Sequence, residues 1–339
     1  MTSSSPRTTR AVAYPAAGPI DAQDAFIDVE VEVGEPGPHD LLVEVRAVSV
    51  NPVDVKNRAG TDPGGTPRVL GFDAAGTVVA VGAQVSRFGV GDEVWYAGTI
   101  ARSGSDAQLQ LVDERIVGPR PSSLSFAEAA AMPLTAVTAW ECMFDRLGLE
   151  RGARGTLLVM GAAGGVGSMV IQLARELTDL RVLAAASRPE SARWARDLGA
   201  HEVVDHRDLV AAVRAVSPDG VDAVISAFSS GNGAAFAELL PVHGRVVSID
   251  SATGEDLMAL KPKSQTWLWE LMFSRPVHLP EDDTQHRVLT EVAAMVDAGR
   301  LRTTMTTRLA PISAATLTQA HRQVETSRTI GKVVLEGWD

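Results

Sequence analysis

The sequence predicts a two-domain α/β protein. The N-terminal third and the C-terminal tail form a β-rich domain, and the chain between them forms a doubly wound parallel-sheet domain. Three observations carry this. Residues 10 to about 125 hold short β-branched runs separated by Gly and Pro clusters. Beyond them, Ala-rich helical stretches alternate with wholly apolar strands, and after about residue 300 short strands return around one amphipathic helix. At 339 residues, 45% hydrophobic and 22% charged, the chain is long enough for two cores of ordinary globular composition.

Taken in order, "AFIDVEVEVG", "DLLVEVRAVSV", "AAGTVVAVG", "GDEVWYAG" and "AQLQLVD" read as strands, and "EPGPHD" and "TDPGGTP" as the turns between them. "SFAEAAAMPLTAVTAWECMF" opens the helical region. The strands "TLLVM", "RVLAAAS", "EVVDH", "VDAVISA" and "GRVVSID" follow, without polar alternation and each trailed by a helix. Such strands belong to a parallel sheet covered on both faces. After the helix "VLTEVAAMVDAGR", the strands "TTMTTRLAP" and "GKVVLEG" flank the helix "SAATLTQAHRQVETS", so the tail is expected to rejoin the first domain. The expected boundaries are 1–127 with 301–339 for the β-rich domain and 128–300 for the sheet domain. The first few residues are expected to be disordered, and no repeat is evident.

Charge and cysteine content narrow the function classes. Against 31 basic residues stand 42 acidic ones, a formal net charge of -11 that repels phosphate backbones and anionic membranes. A nucleic-acid partner is therefore not expected. The single cysteine, Cys142, allows neither an internal disulfide nor a four-cysteine zinc lobe. With no signal-peptide pattern and no apolar run near the roughly 18 residues of a membrane span, a soluble cytoplasmic protein is expected.

The most informative stretch is "TLLVMGAAGGVGSMVIQLARELTDLRVLAAASRPE". A buried strand runs into Gly161, Ala162, Ala163, Gly164, Gly165, Val166 and Gly167 and then into a helix. Read as GxGxxG, the first position is Ala162. Gly164 then allows close backbone approach to a pyrophosphate, and Gly167 lets the helix pack on the sheet. The free N–H groups and positive dipole end of the helix suit phosphates, which makes this the turn of a Rossmann dinucleotide site rather than a tight turn alone. At the end of the second strand an NAD site wants a carboxylate, whereas this chain has Ser187 and Arg188. A hydroxyl and a guanidinium suit the 2'-phosphate of NADPH, although a surface arginine that merely starts a helix, with Glu190 two residues on, reads the same way.

The ordered set "VNPVDVKNRAG", "GFDAAGTVVAVG", "GDEVW", "AAAMPLTAVTAW", "GAAGGVGSMVIQLAR" and "GKVVLEG" resembles the medium-chain dehydrogenase/reductase superfamily over almost the whole chain. Within it the chain is most similar to the quinone oxidoreductase-like branch, in particular a bacterial subgroup labelled as zinc-binding alcohol dehydrogenases. The resemblance implies a GroES-like catalytic domain, a Rossmann domain and an active site in the cleft between them.

The departures from that pattern concern the metal. Where the zinc enzymes of the superfamily have a cysteine ligand and a proton-passing hydroxyl, this chain has Asn51 and Val53. Where they have a histidine ligand it has Phe72, followed by Asp73, and "WYAGTIARSGSDAQ" replaces the structural zinc lobe. Catalytic zinc needs three protein ligands. The seven histidines (His39, His201, His206, His243, His278, His286 and His321) show no ligand spacing, so no metal is expected. Hydride transfer to an acceptor that is already electrophilic, a quinone or an α,β-unsaturated carbonyl, remains.

By the same resemblance, Asn51 lies beside the nicotinamide and orients cofactor or acceptor; an Asx turn before Pro52 is the structural alternative. The Tyr96 phenol is placed to donate to the acceptor carbonyl, or else packs in the core beside Trp95. Asp54 and Arg58 are expected to pair with each other. Thr135, His206, Ser226, Phe228, Ile249 and Lys332 match further cofactor contacts of the family. Phe72 and Trp267 are candidates for lining the acceptor site, with core or dimer-interface packing the alternative for Trp267. The expected protein is an NADPH-dependent, metal-independent homodimeric reductase. Its competitors are a zinc alcohol dehydrogenase with relocated ligands and a non-catalytic NADPH sensor.

Overall fold

A computed structural model of the chain describes residues 7–254 and 257–338. The first residues, expected to be disordered, lie outside the described range except for Arg7 onward, which begins a strand. Two compact units result, Met1–Leu134 with Phe273–Asp339, and Thr135–Met272. These divisions fall later at the first crossing and earlier at the second than 127/128 and 300/301. The second difference comes from the helix Thr284–Asp297, which packs in the first unit: Leu289 lies so close to Gly118 that a Cβ there would come within 2.5 Å of it. Among the described residues no helix is long and apolar enough to cross a membrane.

The first unit is β-rich. In the larger of its two sheets, Asp40–Val50 pairs antiparallel with Ala74–Val81, with Leu109–Asp113 and with the C-terminal strand Lys332–Glu336. Glu93–Tyr96 continues the sheet beside Ala74–Val81, and Ala74 lies opposite Tyr96. The tail rejoins the N-terminal β structure through Val333–Glu336. A smaller sheet joins Arg7–Tyr14 to Ile27–Val33, whose alternating pattern turns Asp28, Glu30 and Glu32 outward on an edge strand.

The second unit carries a parallel sheet in which Arg154–Met160 lies between Asp179–Ala185 and Ala223–Ser226. Glu202–Val204 extends it on one side, and Arg245–Ser248 then Thr266–Trp269 on the other. The edge strand Thr266–Trp269 is an element the sequence pattern did not separate from its apolar surroundings. Leu158, Leu183, Val224 and Val246 pack with Phe236 in one core cluster. Burying each such side chain contributes roughly 1.5–3 kcal/mol, which holds the sheet rigid beneath its loops.

Candidate active site

In the second unit the predicted cofactor residues converge on one edge of the sheet. Gly161–Gly167 follows the strand ending at Met160, Ser187 and Arg188 follow Asp179–Ala185, and His206 follows Glu202–Val204. Ser226 closes its strand, Phe228 lies two residues on, and Ile249 follows Arg245–Ser248. All stand at the carboxyl ends of parallel strands beside the point where strand order reverses, which is where open α/β sheets bind ligands.

The turn itself is cleared of side chains. Gly161 has φ +74°, a left-handed conformation, and the Phe228 ring lies against it, 2.9 Å from where a Cβ would stand. A Cβ on Gly167 would come within 2.4 Å of the Gly161 carbonyl oxygen and 2.6 Å of the Ala162 Cα, so only glycine lets the helix Gly165–Leu177 meet the turn so closely. Gly164 is the N-cap of that helix and makes no side-chain cap bond. The first helical N–H groups thus point out of a bare backbone cradle that fits a dinucleotide's phosphates. Arg188 caps the next helix and lies 3.3 Å from Glu190, while His206 is exposed. Ser229 N–H and Ser248 Oγ both donate to the Asp250 carboxylate, a small network at the same sheet edge. Thr135 is buried near the start of the helix Pro133–Trp140, and Trp267 lies in the edge strand against Phe236 and Trp269.

In the first unit Asn51, Phe72 and Lys332 come together. Pro52 starts the helix Pro52–Gly60, and Asn51 is its N-cap, whose N–H donates to Asp54 Oδ2 at 2.7 Å. The Asn51 side chain does not close an Asx turn. Its Oδ1 accepts from Lys332 Nζ, and its Nδ2 donates to Asp73 Oδ2 at 2.9 Å. Lys332 Nζ also reaches Asp73 Oδ2 at 2.8 Å, Ser49 Oγ donates to the same oxygen at 2.9 Å, and Asp73 Oδ1 accepts the Leu134 N–H at 2.7 Å. Lys332 is 4% exposed and Asp73 is fully buried, so this is an internal ion pair with both carboxylate oxygens engaged. The Phe72 ring beside it is buried edge-to-face on Phe273, centroids 5.0 Å apart.

Two nearby carboxyls are forced toward their neutral forms. Burial is the main cause that pushes Asp54 up to about 7, and it raises Asp106 well above the usual range, helped by the charge of Asp54. The expected Asp54–Arg58 pair does not form. Asp54 accepts from the Asn51 and Gly71 N–H groups, and Arg58 turns to the Gly18 carbonyl and Glu325. Both lie on the buried face of one short helix, four residues apart, but each is already taken by partners from other segments. Tyr96, one strand over from Ala74, is fully buried, its phenol without a hydrogen-bond partner among the described residues and pushed by burial far above its ordinary pKa. It is a neutral donor.

The alcohol dehydrogenase GroES-like domain model matches residues 37–141, and the zinc-binding dehydrogenase model matches 198–335. A zinc-type alcohol dehydrogenase-like protein of Staphylococcus epidermidis is 34% identical over 335 residues, covering 96% of this chain and 99% of that protein. The chain belongs to the medium-chain dehydrogenase/reductase superfamily, in its quinone oxidoreductase-like branch. A quinone oxidoreductase of Pseudomonas aeruginosa is 31% identical across 90% of this chain and 94% of its own length. The crystal structure of a Rhizobium etli protein provisionally classed with the zinc-dependent alcohol dehydrogenases superposes with a TM-score of 0.94 at 47% identity, covering 99% of this chain and all of that one. As a medium-chain dehydrogenase/reductase the chain is an oxidoreductase, with a GroES-like domain and a Rossmann domain that binds a nicotinamide nucleotide.

The zinc ion in the family's label does not fit these residues. Of the positions that carry ligands in the zinc enzymes, only Asp73 has a ligating side chain, and its oxygens are taken by an ammonium, an amide, a hydroxyl and a backbone N–H. Among the described residues no group of three His, Cys, Asp or Glu side chains is arranged to hold a metal elsewhere.

Proposed function

We propose that this medium-chain dehydrogenase/reductase is a metal-independent, NADPH-dependent reductase of quinones or α,β-unsaturated carbonyls. The observation that carries the reading is Lys332, whose ammonium is locked between Asn51 and Asp73, the very segments where zinc enzymes of the superfamily keep their ligands. Without a Lewis acid a simple ketone or alcohol loses the activation that zinc gives it, whereas a conjugated acceptor is already electrophilic and is served by alignment and a donor at its oxygen.

NADPH, when bound, supplies the hydride. The turn Gly161, Ala162, Ala163, Gly164, Gly165, Val166 and Gly167 would hold its phosphates on backbone N–H groups other than that of Gly164, which bonds the Gly161 carbonyl, and Ser187 and Arg188 would hold its 2'-phosphate. His206 serves the adenosine half, and Thr135, Ser226, Phe228 and Ile249 the nicotinamide half. Tyr96, kept protonated by burial, donates to the acceptor oxygen as charge develops there. Asn51 and Lys332 act as positioning residues, since their polar atoms already bond one another and Asp73. Phe72 keeps the site apolar. Trp269, 58% exposed, and Leu271, 54% exposed, on and beyond an edge strand support a homodimer built beside Trp267. The lone buried Cys142 suits a reducing cytoplasm.

Stopped-flow absorbance of NADPH bound to the purified chain, mixed with a panel of quinones and 2-alkenals, tests this. Oxidation insensitive to chelator is expected. No oxidation with any acceptor would leave a nucleotide-binding protein without catalysis, and stoichiometric zinc with chelator-sensitive turnover would sink metal independence.

A further inference from the structure

The guanidinium assigned to phosphate recognition already has an anion beside it. Arg188 is the N-cap of the helix Pro189–Asp197, Glu190 stands in its first turn, and Arg188 Nη1 lies 3.3 Å from Glu190 Oε1. The Arg188 side chain is 29% exposed and that of Glu190 53%, so the carboxylate is the partner with more room to turn away. At the end of the neighbouring strand Asp205 is taken by Arg207, so that pair adds no net charge. His206, at the end of the same strand, is exposed.

A 2'-phosphate carries nearly two negative charges at neutral pH. A carboxylate on the same guanidinium competes for its N–H donors and repels the incoming phosphate. The uncharged 2'-hydroxyl of NADH meets no such repulsion, and it can donate to a carboxylate. We infer that Glu190 is a specificity-determining residue: by competing with the 2'-phosphate for Arg188 it restrains the preference for NADPH and keeps NADH usable. The inference rests on the reading of Arg188 given above. Charges this exposed shift affinity only a few-fold.

Isothermal titration calorimetry of the full chain with NADPH and with NADH tests it on Glu190→Gln, Arg188→Ala and the double variant. At low salt Glu190→Gln is expected to bind NADPH about three- to five-fold tighter and NADH no tighter. The gain should vanish when Arg188 is also replaced, and shrink in about 0.5 M salt. Equal tightening toward both cofactors, or a gain that survives without Arg188, overturns the role of Glu190. Should Arg188→Ala discriminate between the cofactors while Glu190→Gln changes nothing, the Glu190 inference alone fails. Equal weakening of both cofactors by Arg188→Ala overturns the reading of Arg188 and this inference with it.

Discussion

The Asn51–Asp73–Lys332 network and the Gly161–Gly167 turn solve opposite problems. In the first, side chains that would be costly to bury singly are gathered until each satisfies the others. In the second, glycines at 161, 164, 165 and 167 keep the backbone bare, which on the proposed function leaves N–H groups for the phosphates of a nucleotide. The contrast teaches where to look for chemistry: a polar cluster that is internally complete supports the fold, and a polar surface left incomplete receives a ligand.

Breaking the complete cluster should have the largest effect. Lys332→Met strands the Asp73 carboxylate in the interior and is expected to cost about 3–5 kcal/mol in urea denaturation. The Lys332→Met, Asp73→Asn double variant should recover part of that loss. If the single variant is as stable as the parent, the ion pair is not a closed unit.

Acid and base then test the first unit's other buried groups. His321 is fully buried beside Arg58, and burial, with that charge, holds its pKa down at about 3. Unfolded, it takes a proton near 6.5. Its contribution to stability is therefore whole above about 6.5 and is lost as pH falls toward 3. Asp54, raised to about 7 from 3.8, acts in the opposite sense: its contribution is whole below 3.8 and is lost as pH rises through 7. Between about 4 and 6.5 the two slopes oppose each other. His321→Phe should leave a protein that weakens by a few kcal/mol from pH 4 to 7, and Asp54→Asn one that weakens as pH falls over that range. Denaturation midpoints across pH check both, and parallel profiles for the two variants would contradict the assignment.

Filling the incomplete surface comes next. Gly167→Ala places a methyl against the Gly161 carbonyl and is expected to weaken NADPH binding on the order of 100-fold by fluorescence titration, with a smaller fall in Tm. Unchanged binding would mean the cradle does not carry the phosphates. The smallest effect separates the two principles at one residue. Tyr96→Phe removes a buried hydroxyl that lacks a partner, so it should lower kcat about ten-fold, leave cofactor affinity alone and slightly raise stability. A loss of stability instead would place Tyr96 with the closed, structural groups.

The same contrast explains what the sequence could and could not reveal. The glycine turn between its strand and helix was legible because these elements are local, with their spacing written in consecutive residues. The parallel sheet was legible from strands such as "TLLVM" that never alternate. The partnership of Asn51 with Lys332 spans 281 residues, and no periodicity brings those positions together. The family pattern flagged each, but as a neighbour of the nicotinamide rather than of the other. Asp54 and Arg58 invited pairing by their i, i+4 spacing on one buried helix face; competing partners decided otherwise, the Asn51 and Gly71 N–H groups for Asp54, the Gly18 carbonyl and Glu325 for Arg58. The strand Thr266–Trp269 was hidden because its Trp-rich run reads equally well as core, interface or cleft wall.

Phe72 and Asp73 each hold one end of the chain's traffic between the two units. Asp73 receives the N–H of Leu134, the last residue of the first unit before the chain leaves it, and Phe72 meets Phe273, the first residue on its return. Two adjacent positions that bear metal chemistry in the zinc enzymes serve here as fasteners. A histidine at 72, or a metal drawn to 73, would have to displace these contacts with Phe273 and Leu134 before it could form a zinc site.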